Sequence, residues 1–275
     1  MNNDQRILHG ATDVSVALND FRTGSYVFAY TAGEYLYIGQ PMPFNNLWFE
    51  VSVANDVASA CSVDIWFGNA WVSAVDIIDE TKNSSGVSLS TSGRIQWNTN
   101  IDKGWDLEQR STKVTGLSGT HMYNMFWARL SWSNTLKVTT ALSYVGQKFS
   151  IDDVLFSHYP DLSQAALLEG FETGKTTWNE QHFMAAEHIE RDLKKRSLIL
   201  ARGQIVDASV FVDASCHKVA EIVYASFGEP YVNQKSAARK AYNEEMDTRY
   251  LKLDQSGNGS LDRDEEFRQQ GWLNR

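Results

Sequence analysis

The chain has 275 residues, of which 43% are hydrophobic and 21% charged, an ordinary globular composition with room for one large domain or two of usual size. Its formal net charge of -9 is shared by both parts, -5 over residues 1–160 (10 Lys and Arg, 15 Asp and Glu) and -4 over 161–275 (15 and 19). Neither part carries the clustered cations that grip phosphates, so sequence-specific nucleic-acid binding is not expected.

The opening segment, Met1 to Gly10, is polar and lacks the apolar core of a secretory signal, and no apolar run approaches the ~20 residues of a membrane helix. A soluble protein made in the cytoplasm is expected. From Val14 to Phe149 apolar residues recur at every second position, as in Tyr35 to Ile38, Leu47 to Val53, and Ser62 to Phe67. Period two means strands with one face inward. Trp71 to Val75, Arg94 to Trp97, Phe126 to Trp132 and Leu142 to Phe149 continue the scheme. Clusters such as Gly68-Asn69-Ala70 and Asn83-Ser84-Ser85-Gly86 supply turns between them. Many short strands at turn-separated spacing predict a β-sandwich or jelly roll over residues 1–160. The seven tryptophans before residue 133 divide into Trp48, Trp66, Trp127 and Trp132, expected in the core, and Trp71 and Trp105, placed after a turn and in a loop and expected at the surface, with Trp97 inside a strand.

A hinge is expected at His158-Tyr159-Pro160-Asp161, because proline disfavours helix in the residue before it. Residues 161–275 then read as a helical bundle. A short helix spans 164–169, a long one runs from Thr176 or Thr177 to Leu200 with Trp178, Ala185, Ala186, Ile189 and Leu193 inward, and Arg202-Gly203 closes it. Further helices cover 208–227 and 236–251. The fold class is therefore α+β in two domains. Cys61 and Cys216 fall in different parts within apolar patterns, so two buried thiols are expected and no disulfide framework.

The segment Asp254 to Glu265 matches the 12-residue EF-hand calcium loop. Its oxygen ligands would be Asp254, Ser256, Asn258, the Ser260 carbonyl, Asp262 and a bidentate Glu265, with Gly259 making the sharp turn. The loop is single, and Ser and Asn at its third and fifth positions reduce ligand charge, so a structural Ca2+ of modest affinity, or a metal-free turn, is expected rather than a sensor.

No catalytic motif accompanies it: there is no H-E-x-x-H, no phosphate-binding glycine loop and no nucleophile elbow. His182 and His188 stand six apart, on different sides of a helix. Acids at 64, 76, 79, 80, 102, 106, 152 and 153 leave a glycosidase as the least favoured reading.

The run Glu34 to Gly39, then Pro43-Phe44-Asn45, the Val63 to Trp71 strand and turn, and Asp102-Lys103-Gly104-Trp105 resemble β modules of tailed-bacteriophage structural proteins. Ala185 to Leu193 on the long helix, an alanine-bearing second helix and Ala241-Tyr242 resemble the helical adaptor, or head-to-tail connector (neck), proteins of such phages. A β domain ahead of the bundle departs from the family's small all-helical adaptors. The resemblance implies a non-enzymatic virion protein that forms a ring with copies of itself on the portal and touches neighbouring neck or tail proteins. Glu187, Arg191, Lys194 and Lys195 would face neighbouring subunits, and exposed Trp71 and Trp105 would mark a further interface. The alternative, from Trp71, Trp105 and the calcium-type loop, is a calcium-stabilised carbohydrate-binding module of a tail fibre or a lectin.

Overall fold

A computed structural model describes residues 5–99, 104–108, 114–117, 124–248, 253–259 and 265. The chain divides into two compact units. One contains residues 1–146 with 200–206 and 256–260, and the other 147–199 with 207–255 and 261–275.

Among the described residues, the first unit has eleven short strands: β1 (Arg6–His9), β2 (Thr12–Asp13), β3 (Tyr26–Val27), β4 (Leu36–Gln40), β5 (Asn46–Val53), β6 (Cys61–Phe67), β7 (Ala70–Ser73), β8 (Val75–Asp79), β9 (Gly93–Asn98), β10 (Phe126–Trp132) and β11 (Ala141–Gly146). One turn of helix, α1 (Ser15–Leu18), follows β2. The strands form a six-stranded sheet, β2-β1-β4-β10-β6-β7, and a five-stranded sheet, β3-β11-β5-β9-β8, with antiparallel pairing throughout. Alternation explains the layering. Ile38, Val63, Ile65 and Leu130 from the first sheet meet Leu47, Phe49, Ile95 and Trp97 from the second in one core. Each fully buried apolar side chain of this kind contributes about 1.5–3 kcal/mol. The opposite face of the six-stranded sheet carries a smaller cluster, Tyr37, Trp66 and Trp127, packed with Val114 and Leu117 of the connection between β9 and β10.

Two distant segments complete this unit. Asn46 Nδ2 donates to the Ile205 carbonyl at 2.8 Å. Gly203 lies so close to Pro43 that a Cβ there would stand 2.6 Å from the Pro43 carbonyl oxygen, which only glycine tolerates.

The second unit contains α2 (Asp152–His158), α3 (Ala165–Phe171), α4 (Asn179–Lys195), α5 (Val212–Phe227) and α6 (Val232–Thr248), joined by short 3-10 turns. Leu155, Leu162, Trp178, Ala185, Val219 and Val223 share its core. The helical character therefore begins before the expected hinge, and α2 ends at it. The long helix stops at Lys195 rather than near Leu200. Ser197 takes a left-handed conformation (φ 57°), and the amides of Ser197 and Leu198 donate back to the carbonyls of Lys194 and Leu193. That is an αL termination reached without glycine. Both cysteines are free and buried.

Candidate functional site

Of the calcium-type loop, Asp254, Ser256, Asn258 and Glu265 are described, while Ser260 and Asp262 lie outside the described residues. Asp254 is 0% and Glu265 7% exposed, so the carboxylates at the first and last loop positions are both withdrawn from water. Gly259, at the sixth position, has φ 85°, the conformation the sharp turn of such a loop demands. Among the described residues, no group of three or more His, Cys, Asp or Glu is gathered to hold a metal.

Gly259 also locates Trp105. A Cβ on Gly259 would fall 2.5 Å from Trp105 Cδ1 and 2.9 Å from Pro43 Cβ. Trp105 is 9% exposed and packs at a tilt on Phe44 at 5.1 Å between ring centroids, with Trp97 meeting Phe44 edge-on at 5.6 Å. The expected surface position of Trp105 is thus corrected. The ring joins the sandwich core.

Trp71 is half-buried on the outer face of the six-stranded sheet. Its Nε1 donates to the Thr115 carbonyl at 2.9 Å, and the Arg129 guanidinium lies 4.8 Å from its ring and 4.0 Å from that of Tyr35. Arg129 in turn donates through Nε to Asp64 at 2.9 Å. Register explains the grouping, since Tyr37, Arg129, Asp64 and Ser73 occupy one rung across β4, β10, β6 and β7. An aromatic ring beside a paired cation and carboxylate offers both a stacking plane and hydrogen-bonding groups.

On α4, Glu187, Arg191 and Lys195 are exposed and recur every fourth residue, forming one charged stripe opposite the buried Ala185, Ala186, Ile189 and Leu193. Lys195 reaches Asp192 at 3.8 Å. Lys194 departs from the expectation. Its ammonium lies 2.9 Å from Glu190, whose side chain is only 10% exposed, so it closes a pair along the helix instead of projecting with the other three.

Of the acids considered for hydrolysis, Asp102 lies outside the described residues, and Asp64, Asp76, Asp79, Asp106 and Asp152 have structural partners. Asp79 accepts from Thr81 and Ser88, Asp106 from the Gly68 amide, Asp76 from Asn98, and Asp64 from Arg129. Asp152 belongs to the helical unit, where both of its oxygens accept from the Trp178 amide at 3.2 Å.

Asp152 also opens a polar chain that sequence reasoning missed. His182 Nε2 is 3.0 Å from Asp152 Oδ1, His182 Nδ1 is 2.7 Å from Ser150 Oγ, and Ser150 Oγ is 2.7 Å from Ser215 Oγ. Residue types match a Ser-His-Asp triad. Their burial does not suit attack on a substrate, because Ser150, His182 and Ser215 are 3%, 1% and 0% exposed. Burial pushes the neighbouring Cys216 thiol up to about 12, against a hydrogen bond with Ser150. The chain instead fastens the start of α2, the start of α4 and the first turns of α5. A second polar cluster joins the end of α2 to α5, with Tyr159 Oη 2.8 Å from His217 Nδ1 and His158 3.3 Å from Asp213. His217 therefore pairs with Tyr159, while Lys218 takes Glu221.

Among the described residues, no helix is long and apolar enough to cross a membrane. No family model, curated protein or solved structure matches the chain.

Proposed function

We propose that this protein is a non-enzymatic structural subunit of a tailed-bacteriophage virion, a head-to-tail connector whose helical unit docks on the portal ring beside further copies of itself, with the β-sandwich making peripheral contacts. The observation that carries the reading is the charged stripe Glu187, Arg191 and Lys195 on the outer face of α4. One acid followed by two cations suits repeated contact between identical neighbours, each offering both charges. The use of buried Ser150 and His182, with half-buried Asp152, as fasteners supports a non-enzymatic role. The loop from Asp254 to Glu265 would hold a structural Ca2+ through the six oxygen donors of its motif. Assembly tests the proposal. Reversing Glu187, Arg191 and Lys195 together should leave filled heads without tails, and normal joining of heads to tails would overturn it.

A second reading, a calcium-stabilised carbohydrate-binding module of a tail fibre or lectin, draws support from Trp71 beside Tyr35 and the Arg129–Asp64 pair. A glycan array in calcium and in chelator tests it. Calcium-dependent binding that Trp71→Ala abolishes supports this reading, and an array without ligands counts against it.

A further inference from the structure

The two sheets belong to one sandwich, yet their edges are tied side chain to side chain at one imidazole. His9 ends β1 in the six-stranded sheet, and Tyr26 begins β3, the two-residue edge of the five-stranded sheet. His9 Nδ1 lies 2.7 Å from Tyr26 Oη. The imidazole packs against Phe28 at 4.7 Å and stacks on Tyr30 at 6.5 Å, both rings themselves buried and set against Trp132 at 5.2 Å. On its other side, His9 Nε2 is 3.4 Å from Glu34 Oε2, which also accepts from the Thr31 amide at 2.8 Å. Ladder pairing at this edge is short, β3 meeting β11 at Val27–Ala141 and Tyr26–Leu142, and it is supplemented by the Phe28 amide on the Thr140 carbonyl at 2.7 Å, the Leu136 amide on the Tyr30 carbonyl at 3.1 Å, and Tyr30 Oη, which donates to the Trp132 carbonyl and accepts from the Trp132 amide.

We infer that His9 is an acid-released latch, whose protonation frees the segment from Tyr26 to Tyr35 from the sandwich edge while the central strands stay paired. The argument follows the hydrogen atoms. A neutral imidazole accepts the Tyr26 hydroxyl proton at Nδ1 and directs Nε2–H toward Glu34. A second proton, on Nδ1, removes that acceptor and reverses the bond, so that Nδ1–H must donate to the Tyr26 hydroxyl oxygen and the Tyr26 proton loses its acceptor. It also places a cation in an aromatic nest. The groups facing it are Tyr26 and Tyr30 from β3 and the turn after it, and Glu34 from the approach to β4; the Arg6–Asp13 pair lies on the adjoining β1–β2 hairpin at 3.9 Å. Glu34 favours the cation, but at 46% side-chain exposure it is partly screened.

Burial accordingly holds the His9 pKa below its ordinary value of 6.5, with Glu34 opposing the shift. A depressed histidine adds stability that is complete above the unfolded pKa and is lost as pH falls from there through the folded pKa. The latch therefore holds at neutral pH and weakens in mild acid.

Hydrogen exchange of the intact chain at pH 7.5 and pH 5.5, corrected for intrinsic rates, tests this. Peptides covering residues 24–35 should lose protection in acid while those of β5 keep theirs. His9→Gln, which takes no proton, should remove the difference between the two pH values. Glu34→Gln, which removes the compensating charge, should enlarge the loss at pH 5.5. Unchanged protection in the native chain, an equal loss in β5, or the same acid response in His9→Gln would overturn the latch. Should His9→Gln fail to fold, the comparison of the native chain with Glu34→Gln decides alone, and an equal or smaller loss in the variant overturns it.

Discussion

His182 stands 3.0 Å from the carboxylate of Asp152, with 1% of the histidine exposed. That contact joins α4 to α2, and the chain it belongs to reaches α5 through Ser150 and Ser215. A neutral imidazole satisfies every partner in sequence: Nε2–H donates to Asp152, the Ser150 hydroxyl donates to Nδ1, and the Ser215 hydroxyl donates to Ser150. Buried polar chains of this kind stabilise only when complete.

Replacing His182 with Ala should therefore destabilise the helical unit by on the order of 3 kcal/mol, combining a cavity with stranded polar groups. Ser215→Ala removes one terminal donor and should cost about 1 kcal/mol. Urea denaturation followed by helical circular dichroism measures both. Equal small effects would show that the chain of hydrogen bonds contributes little.

Gly259→Ala should be more damaging than Gly86→Ala. Both glycines have positive φ, 85° and 77°, so each substitution carries a backbone cost of about 1 kcal/mol. Around Gly86 the space is open, whereas at Gly259 the new methyl meets Trp105 at 2.5 Å. Thermal denaturation should rank the two variants in that order, and the Trp105 environment should change in near-ultraviolet circular dichroism for Gly259→Ala alone.

If the loop holds calcium, Glu265→Gln should lower the melting temperature in calcium and leave it unchanged in chelator, because only the loaded protein gains stability from the ion. An identical shift in both buffers would assign Glu265 a purely structural role.

Neither thiol should react in the native protein. Cys61 and Cys216 are buried, and burial pushes both up, Cys216 to about 12, so little thiolate forms at pH 8. A thiol reagent at pH 8 should modify neither cysteine until denaturant is added. Prompt modification of one residue would locate a part of the fold that opens.

The strands were legible where their period was long enough to read. Leu47 to Val53 became β5 and Phe126 to Trp132 became β10, both carried by their apolar runs, with burial alternating over the second half of β10 and unbroken over the first four residues of β5. β1, β2 and α1 were not legible, being four residues or fewer. The end of α4 was misplaced because Ser197 supplies the left-handed turn that sequence reasoning assigns to glycine. Trp105 was misread for a different reason. A loop tryptophan reads as exposed until its partners are known, and Phe44 and Gly259 lie far from it in the chain. The same holds for Ser150, Asp152, His182 and Ser215, whose polar chain spans three helices. Their residue types were visible but their meeting was not.

The location of the protein tests the proposed function most directly. Gold-labelled antibody to this chain, applied to phage particles and viewed by electron microscopy, should mark the junction of head and tail. Label at the tail tip or fibres would favour the carbohydrate-binding reading, and particles without any label would contradict the virion assignment.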